Sequence, residues 1–283
     1  MRLFLFLTLL IFNLGAKSLF SNSEQANNSI YIGALKNLLI STQQTRGLTN
    51  SYMNGNLAAM LLVYNGRDEM KKAIGVMESL PLAADPVINN RATSISTELI
   101  KLNNKAFKLK APDVFSAYTQ QIEEILMLAQ TVSKRSAKEL HSCGKSASSI
   151  MLEIMLPMTE YVGRLRGFGA GLVAKGSATK QDIEKINVLT GKVKQLNQKL
   201  SREMGKLTSK YPNKLSRDIN SQITAVNSEV NDYTKFAKTK FTKHIKGISP
   251  NEYFDAGTKL ISSIVKVYDT TNKALLKGSK GWF

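Results

Sequence analysis

The chain has 283 residues, 43% of them hydrophobic and 6 of them proline, a composition that favours helices around an apolar core over disorder. Cys143 is the single cysteine and the 2 histidines are far apart in sequence, so an internal disulfide and a metal or cofactor site are not expected. The formal net charge of +18 favours anionic partners.

The first 18 residues, MRLFLFLTLLIFNLGAKS, have the features of an export signal. A basic start precedes an apolar run, and Ala16-Lys17-Ser18 is a small-x-small cleavage site. The run is shorter than the ~20 residues that a spanning helix needs, so an uncleaved membrane anchor is the second alternative. We predict a signal peptide over residues 1–18 and a periplasmic or secreted mature protein.

Apolar residues recur at helical spacing between turn signals, which predicts an all-α protein with long helices. Asn65-Gly66 is expected to close the first helix, and Asp113 is expected to be the N-cap of the fourth. In chain order, the predicted helices cover residues 29–64, a stretch ending at Pro81, residues 86–109, a stretch from Asp113, one ending near Lys175, residues 180–209, one ending near residue 246, and 251 to about 277.

The two halves of the chain resemble each other. QQTRGLTNSYMNGN in the first half aligns with GRLRGFGAGLVAKG in the second, and VFSAYTQQI aligns with YFDAGTKLI. The first alignment places Arg46 on Arg166, 120 residues apart. The second places Phe115 on Phe254 and Thr119 on Thr258. The repeat predicts two similar up-down four-helix-type bundles packed together, over residues 19–140 and 141–283.

Each repeat carries an arginine where an apolar residue is expected. Arg164 lies two residues before Arg166, about 200° away around a helix, and is predicted to be an ordinary surface cation. Counting in sevens gives one helix face in each half: Ile32, Leu39, Arg46, Met53 and Met60 in the first, and Leu152, Thr159, Arg166 and Val173 in the second.

A guanidinium keeps its proton, so burying Arg46 and Arg166 demands an anionic or hydrogen-bonding partner. Residues 25–67 contain no carboxylate, so we expect the missing anion to be a small ligand held by both arginines. In the alternative, each arginine pairs with a carboxylate from another helix or extends to water. The remaining predicted site residues are Gly47 and Gly167, which allow close helix approach, and Thr49 and Gln43, or Thr42, as neutral donors.

A planar monoanion such as nitrate or nitrite suits the plane of a guanidinium, although this physics alone does not select it over chloride, formate, phosphate or a carboxylate. Three segments resemble the NIT domain, the nitrate- and nitrite-sensing module of bacterial regulators and receptors: LLISTQQTRGLTNSYMNGN, MTEYVGRLRGFGAGLVAKGSAT and EYFDAGTKLISSIVKVYD. The resemblance implies an all-helical sensor of two four-helix bundles, with the anion held between them by Arg46 and Arg166.

Members of that family commonly continue into an output module, and none is expected after the last predicted helix of this chain. The expected partners are therefore nitrate or nitrite and a membrane sensor kinase or chemoreceptor, with a homodimer left open and no nucleic acid.

An enzyme is not expected, because GFGAGLVAKGSAT lacks the GxxxxGK[ST] order of a phosphate loop and no nucleophile-base set is found. The alternative is a basic helical structural or interaction protein that binds acidic polymers or lipid headgroups. It would use the uneven charge of the chain: residues 19–140 carry 13 basic and 10 acidic residues, and 141–283 carry 24 and 11.

Overall fold

The computed structural model describes the backbone of residues 2–136, 140–243, 245 and 247–279, and the side chains of 24–135, 140–241, 245 and 247–274. All regular secondary structure in these residues is helical, which confirms the all-α prediction. The helices are α1 (Arg2–Met53), α2 (Met60–Ser79), α3 (Pro86–Lys105), α4 (Ala111–Ser136), α5 (Ser142–Ile150), α6 (Leu156–Lys175), α7 (Lys180–Lys210), α8 (Ile219–Lys243) and α9 (Pro250–Ser279).

The helices pack in two groups. Helix α1 lies against α2 and α4, and α3 lies against α2 and α4. Helix α6 lies against α7 and α9, and α8 lies against the same two helices. Extensive packing of α1 on α6, with a smaller contact between α1 and α9, joins the two groups. This grouping is compatible with bundles over residues 19–140 and 141–283, and the duplication itself stays a prediction.

The side chains of the predicted signal peptide, residues 1–18, lie outside the described residues. Where side chains are described, no helix is both long enough and apolar enough to cross a bilayer.

The first helix ends earlier than predicted. Helix α1 stops at Met53, and Gly55 takes the positive φ of 111° that the turn requires. The predicted end at Asn65-Gly66 is wrong, because both residues lie inside α2. A Cβ on buried Gly66 would lie 3.0 Å from the Thr45 hydroxyl oxygen, so this glycine serves the packing of α2 on α1. Met60 therefore belongs to α2, where it is exposed, and not to the buried face of α1.

Two helix starts have clear chemical causes. The Asp85 carboxylate accepts hydrogen bonds from the amides of Val87 and Ile88 at 3.0 and 3.1 Å and so caps α3. A reciprocal capping box between Thr179 and Asp182 begins α7. The prediction that Asp113 is an N-cap is wrong, because α4 begins two residues earlier and Asp113 lies in its first turn.

Helices α5 and α6 form one continuous rod with a π-helical segment, Met151–Met155, between them. The Leu156 amide donates to the Met151 carbonyl, five residues back. Pro157 follows at once and has no amide hydrogen to donate, so the wider turn accommodates the interruption without ending the rod. The rod carries Glu160, Arg164 and Arg166 on its C-terminal half.

Glycines bring α1 and α6 into backbone contact. A Cβ on Gly167 would lie 2.8 Å from the Gly47 Cα atom, and a Cβ on Gly163 would lie 3.2 Å from the Gln43 side chain. Further along, the Asn50 amide donates to the Gly167 carbonyl at 3.0 Å. Contacts that advance in step along both helices show that α1 and α6 run parallel. Residues that face each other across this contact are also matched positions of the predicted repeat: Gln43 with Gly163, and Gly47 with Gly167.

We expect Gly167→Ala to lower the free energy of unfolding by about 1–3 kcal/mol, because the added methyl group meets backbone that cannot move aside. Gly191→Ala on α7 is the matched control, since nothing lies within 4 Å of a Cβ there. That substitution should raise stability by up to ~1 kcal/mol. Urea unfolding measures both, and equal effects at the two positions would contradict the close approach of α1 and α6.

Candidate functional site

Both predicted arginines are inside the protein. The exposed fraction is 0% for Arg46 and 2% for Arg166, and they are among the largest fully buried side chains. Their places on the apolar faces of α1 and α6 are therefore confirmed.

The two guanidinium groups have matching surroundings. Arg46 Nη1 donates to Thr119 Oγ1 and Arg166 Nη1 donates to Thr258 Oγ1, both at 2.9 Å. The Arg46 guanidinium carbon lies 4.8 Å from the centre of the Phe115 ring, and that of Arg166 lies 4.3 Å from the centre of the Phe254 ring. These Phe and Thr positions are the ones that the predicted internal repeat aligns, and that alignment was the available signal for a shared role.

Arg46 does not lack a protein counter-charge, so that expectation is corrected. Its Nη1 atom donates to Glu160 Oε1 at 2.7 Å, and its Nη2 atom donates to Glu160 Oε2 at 3.2 Å. Both side chains are shielded from water, with exposed fractions of 0% and 2%. Glu160 lies on α6, so the alternative of a carboxylate from another helix holds for Arg46. Sequence alone could not find this pair, because it depends on how α1 packs against α6.

Arg164 is not an ordinary surface cation, which corrects a second expectation. Its Nε atom donates to Glu160 Oε1 at 2.7 Å, and its Nη2 atom donates to Glu123 Oε1 on α4 at 2.5 Å. The side chain is 24% exposed. Arg164 does point away from Arg166, but that direction leads to Glu123 on α4 and not to open water. The i,i+4 spacing of Glu160 and Arg164 was the available signal.

Arg166 has no such partner. Within the described residues its Nε and Nη2 atoms make no hydrogen bond, and no carboxylate forms an ion pair with it. Burial, with a further contribution from the positive charge of Arg46, lowers the pKa of Arg166 to about 10. Because the unfolded chain keeps the ordinary, higher pKa, the buried charge costs the folded protein roughly 3 kcal/mol at neutral pH.

The free donors of Arg166 lie on one edge of the guanidinium. Nε–H and one Nη2–H lie in the guanidinium plane and point in parallel from the same edge, so two oxygens of one oxyanion can accept them together. Arg46 differs: Glu160 occupies its Nη1 and Nη2 edge, and its Nε atom alone makes no hydrogen bond within the described residues.

Aromatic residues of α8 and α9 enclose the Arg166 side chain. A Cβ on Gly257 would lie 2.8 Å from Arg166 Cβ and 2.7 Å from the Tyr233 hydroxyl oxygen, so this glycine lets α9 close over the arginine. Burial raises the pKa values of Tyr233 and Tyr253 well above the ordinary range. Both phenols therefore stay neutral, and the arginine lies in a medium that strengthens any charge interaction.

The other predicted site residues have three kinds of surroundings. Gly47 and Gly167 lie at the contact of α1 and α6, as described above. The Gln43 amide donates to Glu160 Oε2 at 3.1 Å, so this side chain belongs to the network around Arg46. Thr49 is buried beside Tyr118 and makes no hydrogen bond to either guanidinium within the described residues. Thr42 donates to its own helix at the Leu38 carbonyl.

Comparison with known proteins identifies the family. The pattern of the nitrate and nitrite sensing (NIT) family matches residues 37–276, so the chain belongs to this family of sensing domains. The solved structure of the NasR transcription antiterminator superposes with a TM-score of 0.64 at 12% sequence identity, over 96% of this chain and 74% of that one. That likeness concerns the fold. No curated protein is significantly similar in sequence.

The unequal pairing of the two arginines predicts opposite effects on stability in a buffer of sodium gluconate. Arg166→Met should raise the free energy of unfolding by about 1–3 kcal/mol, because it removes a buried charge without an ionic partner. Arg46→Met should lower it by about 1–3 kcal/mol, because Glu160 loses two charge-assisted hydrogen bonds and keeps Arg164 as its ionic partner.

Thermal and urea unfolding of both variants test this asymmetry. Destabilisation of similar size in the two variants would show that Arg166 is as well paired as Arg46.

Proposed function

We propose that the chain senses nitrate or nitrite by binding the anion at the Nε and Nη2 edge of Arg166, with Arg46 as the second cation of the site. The observation that carries this proposal is the pair of buried Arg166 donors without a hydrogen-bond partner in the described residues. Membership of the NIT family supports the choice of anion.

The shape of the donor edge supports a planar oxyanion. Two oxygens of nitrate or nitrite can each accept one hydrogen bond from the edge, whereas a chloride ion is a single acceptor and cannot occupy both directions well. Hydrogen bonds to charged groups contribute about 1.5–3 kcal/mol each. Two or three of them, with the charge attraction in a medium of low dielectric constant, reach the ~8 kcal/mol that micromolar affinity requires.

Charge balance supports a monoanion. Arg46 and Arg166 contribute two buried positive charges, and Glu160 contributes one negative charge. A bound monoanion neutralises the remaining charge and removes the cost of burying Arg166.

The contacts of Arg166 suggest how binding changes the packing of the helices. Thr258 and Phe254 lie on α9, so an anion drawn to Arg166 acts on the contact between α6 and α9. Repulsion between the two arginines decreases on binding, and the helices close; the anion must then favour the closed form by about 1–3 kcal/mol. A membrane sensor kinase or chemoreceptor is the partner proposed to detect this change.

Nitrate or nitrite should raise the melting temperature of the protein, with a stabilisation of about 2.7 kcal/mol at a concentration 100 times Kd. Calorimetric titration against nitrate, nitrite, chloride, formate, sulfate and phosphate measures selectivity, and we expect the two nitrogen oxyanions to bind best. Arg166→Ala and Arg46→Ala should each abolish the response.

Arg202→Ala is the matched control, because it removes one exposed positive charge from α7 and leaves the buried pair intact. Retention of nitrate binding in Arg166→Ala would contradict the proposed site. Binding that responds equally to all three substitutions and decreases with any added salt would favour the acidic-polymer alternative.

We also propose export, from the sequence of residues 1–18. Expression of the full chain in a bacterial host should place the protein outside the cytoplasm, with an N-terminus near Leu19 by Edman sequencing. An intact N-terminus on cytoplasmic protein would contradict the signal peptide.

A further inference from the structure

Glu160 has an unusual position for a carboxylate. It is 2% exposed and accepts four hydrogen bonds from three side chains, with one Arg46 donor on each oxygen, Arg164 on Oε1 and Gln43 on Oε2. The internal repeat places Ile40 at the matched position of α1. The helix pattern therefore does not require an acid here, and the carboxylate serves Arg46.

A carboxylate resembles the proposed ligand chemically. It is a planar group with one negative charge and two equivalent oxygens, and it presents to Arg46 the acceptor pair that nitrate or nitrite would present. An anion that enters the site therefore meets a rival already bound to one of the two arginines.

On this basis, and resting on the proposed function above, we propose that Glu160 is a built-in competing anion that sets the affinity and charge selectivity of the arginine site. Arg164 is then a positioning residue, which holds Glu160 when an incoming oxyanion replaces it on Arg46.

The hydrogen bonds of Arg164 support this exchange. Arg164 binds Glu160 from the same helix, four residues on, and binds the half-exposed Glu123 with its other end. If Glu160 turns from Arg46, it keeps a charged partner and does not become an unpaired buried ion, which would be strongly destabilising. Arg164 thus lowers the free-energy cost of separating Glu160 from Arg46.

The charge of the site explains selectivity. With Glu160 ionised, the buried groups Arg46, Arg166 and Glu160 carry a net charge of +1, which one monoanion neutralises. A dianion such as sulfate would leave a net negative charge buried. Removal of the carboxylate charge changes the net charge to +2, which a dianion matches.

The test is calorimetric titration of the full-length protein with sodium nitrate and with sodium sulfate. Glu160→Gln keeps the size and a hydrogen-bonding oxygen, and should bind nitrate at least ~10-fold more tightly and acquire measurable sulfate binding. Arg164→Gln should bind nitrate at least ~10-fold more weakly, because Glu160 then has no second arginine to pair with and is harder to displace from Arg46. Opposite signs for these two variants are the signature of competition.

Lys185→Gln on α7 is the charge control. The Lys185 ammonium lies 4.3 Å from the centre of the Phe168 ring, and its charge acts on Arg46 and Arg164, but it makes no hydrogen bond to Glu160 within the described residues. Its substitution should weaken nitrate binding by less than ~3-fold. An effect as large as that of Arg164→Gln would show that Arg164 acts only through its positive charge and does not position Glu160.

The remaining outcomes separate this inference from the proposed function. If the unmodified protein binds neither nitrate nor nitrite, both fail. Suppose instead that the unmodified protein binds nitrate through Arg166, but the Glu160→Gln variant binds nitrate no more tightly and does not bind sulfate. The proposal that Glu160 is a competing anion is then refuted, and the proposed function stands. Should Glu160→Gln not fold, Glu160→Asp replaces it; the shorter acid should tighten nitrate binding without sulfate binding, and unchanged or weaker binding overturns the inference.

Discussion

Burial of two guanidinium groups beside one carboxylate is the interaction on which the site depends. The backbones of α1 and α6 touch at Gly47 and Gly167, so the arginines that precede these glycines are placed close enough for their charges to interact. Arginine cannot relieve its burial by losing a proton at physiological pH. The folded protein therefore carries a positive charge in its interior, and an anion is the simplest group that neutralises it.

The two halves use the same local structure for different purposes. Each arginine lies over a phenylalanine ring and donates to a threonine hydroxyl one helical turn further on. Among the described residues, a buried acid, Glu160, pairs with Arg46 and none pairs with Arg166, because the residue of the first half at the position matched to Glu160 is apolar. One arginine is thus held in place by a protein carboxylate, whereas the Nε and Nη2 donors of the other make no hydrogen bond within the described residues, so the two halves are not a symmetric clamp.

The sequence predicts the helical class, most helix positions and the inward direction of Arg46 and Arg166, because these follow from local periodicity. The sequence predicts the wrong end for the first helix, because Asn54-Gly55 and Asn65-Gly66 are equally good turn signals in isolation. Contact of Gly66 with Thr45 on α1 decides between them. The surface prediction for Arg164 is wrong for a similar reason: the angle around a helix gives a direction, and only the neighbouring helix decides whether water or Glu123 lies there.

By itself, the sequence predicted the internal repeat, and it determined which faces of the helices are apolar and that two permanent cations occupy those faces. Periodicity and chemical type are properties of a residue and its near neighbours, so one chain suffices to show them. Tertiary structure decided that Glu160 pairs with Arg46 and that, among the residues whose side chains are described, none bonds to the Nε and Nη2 edge of Arg166. Ion pairing in the interior depends on distances of a few ångströms between helices that are more than a hundred residues apart, and only the packed fold sets those distances.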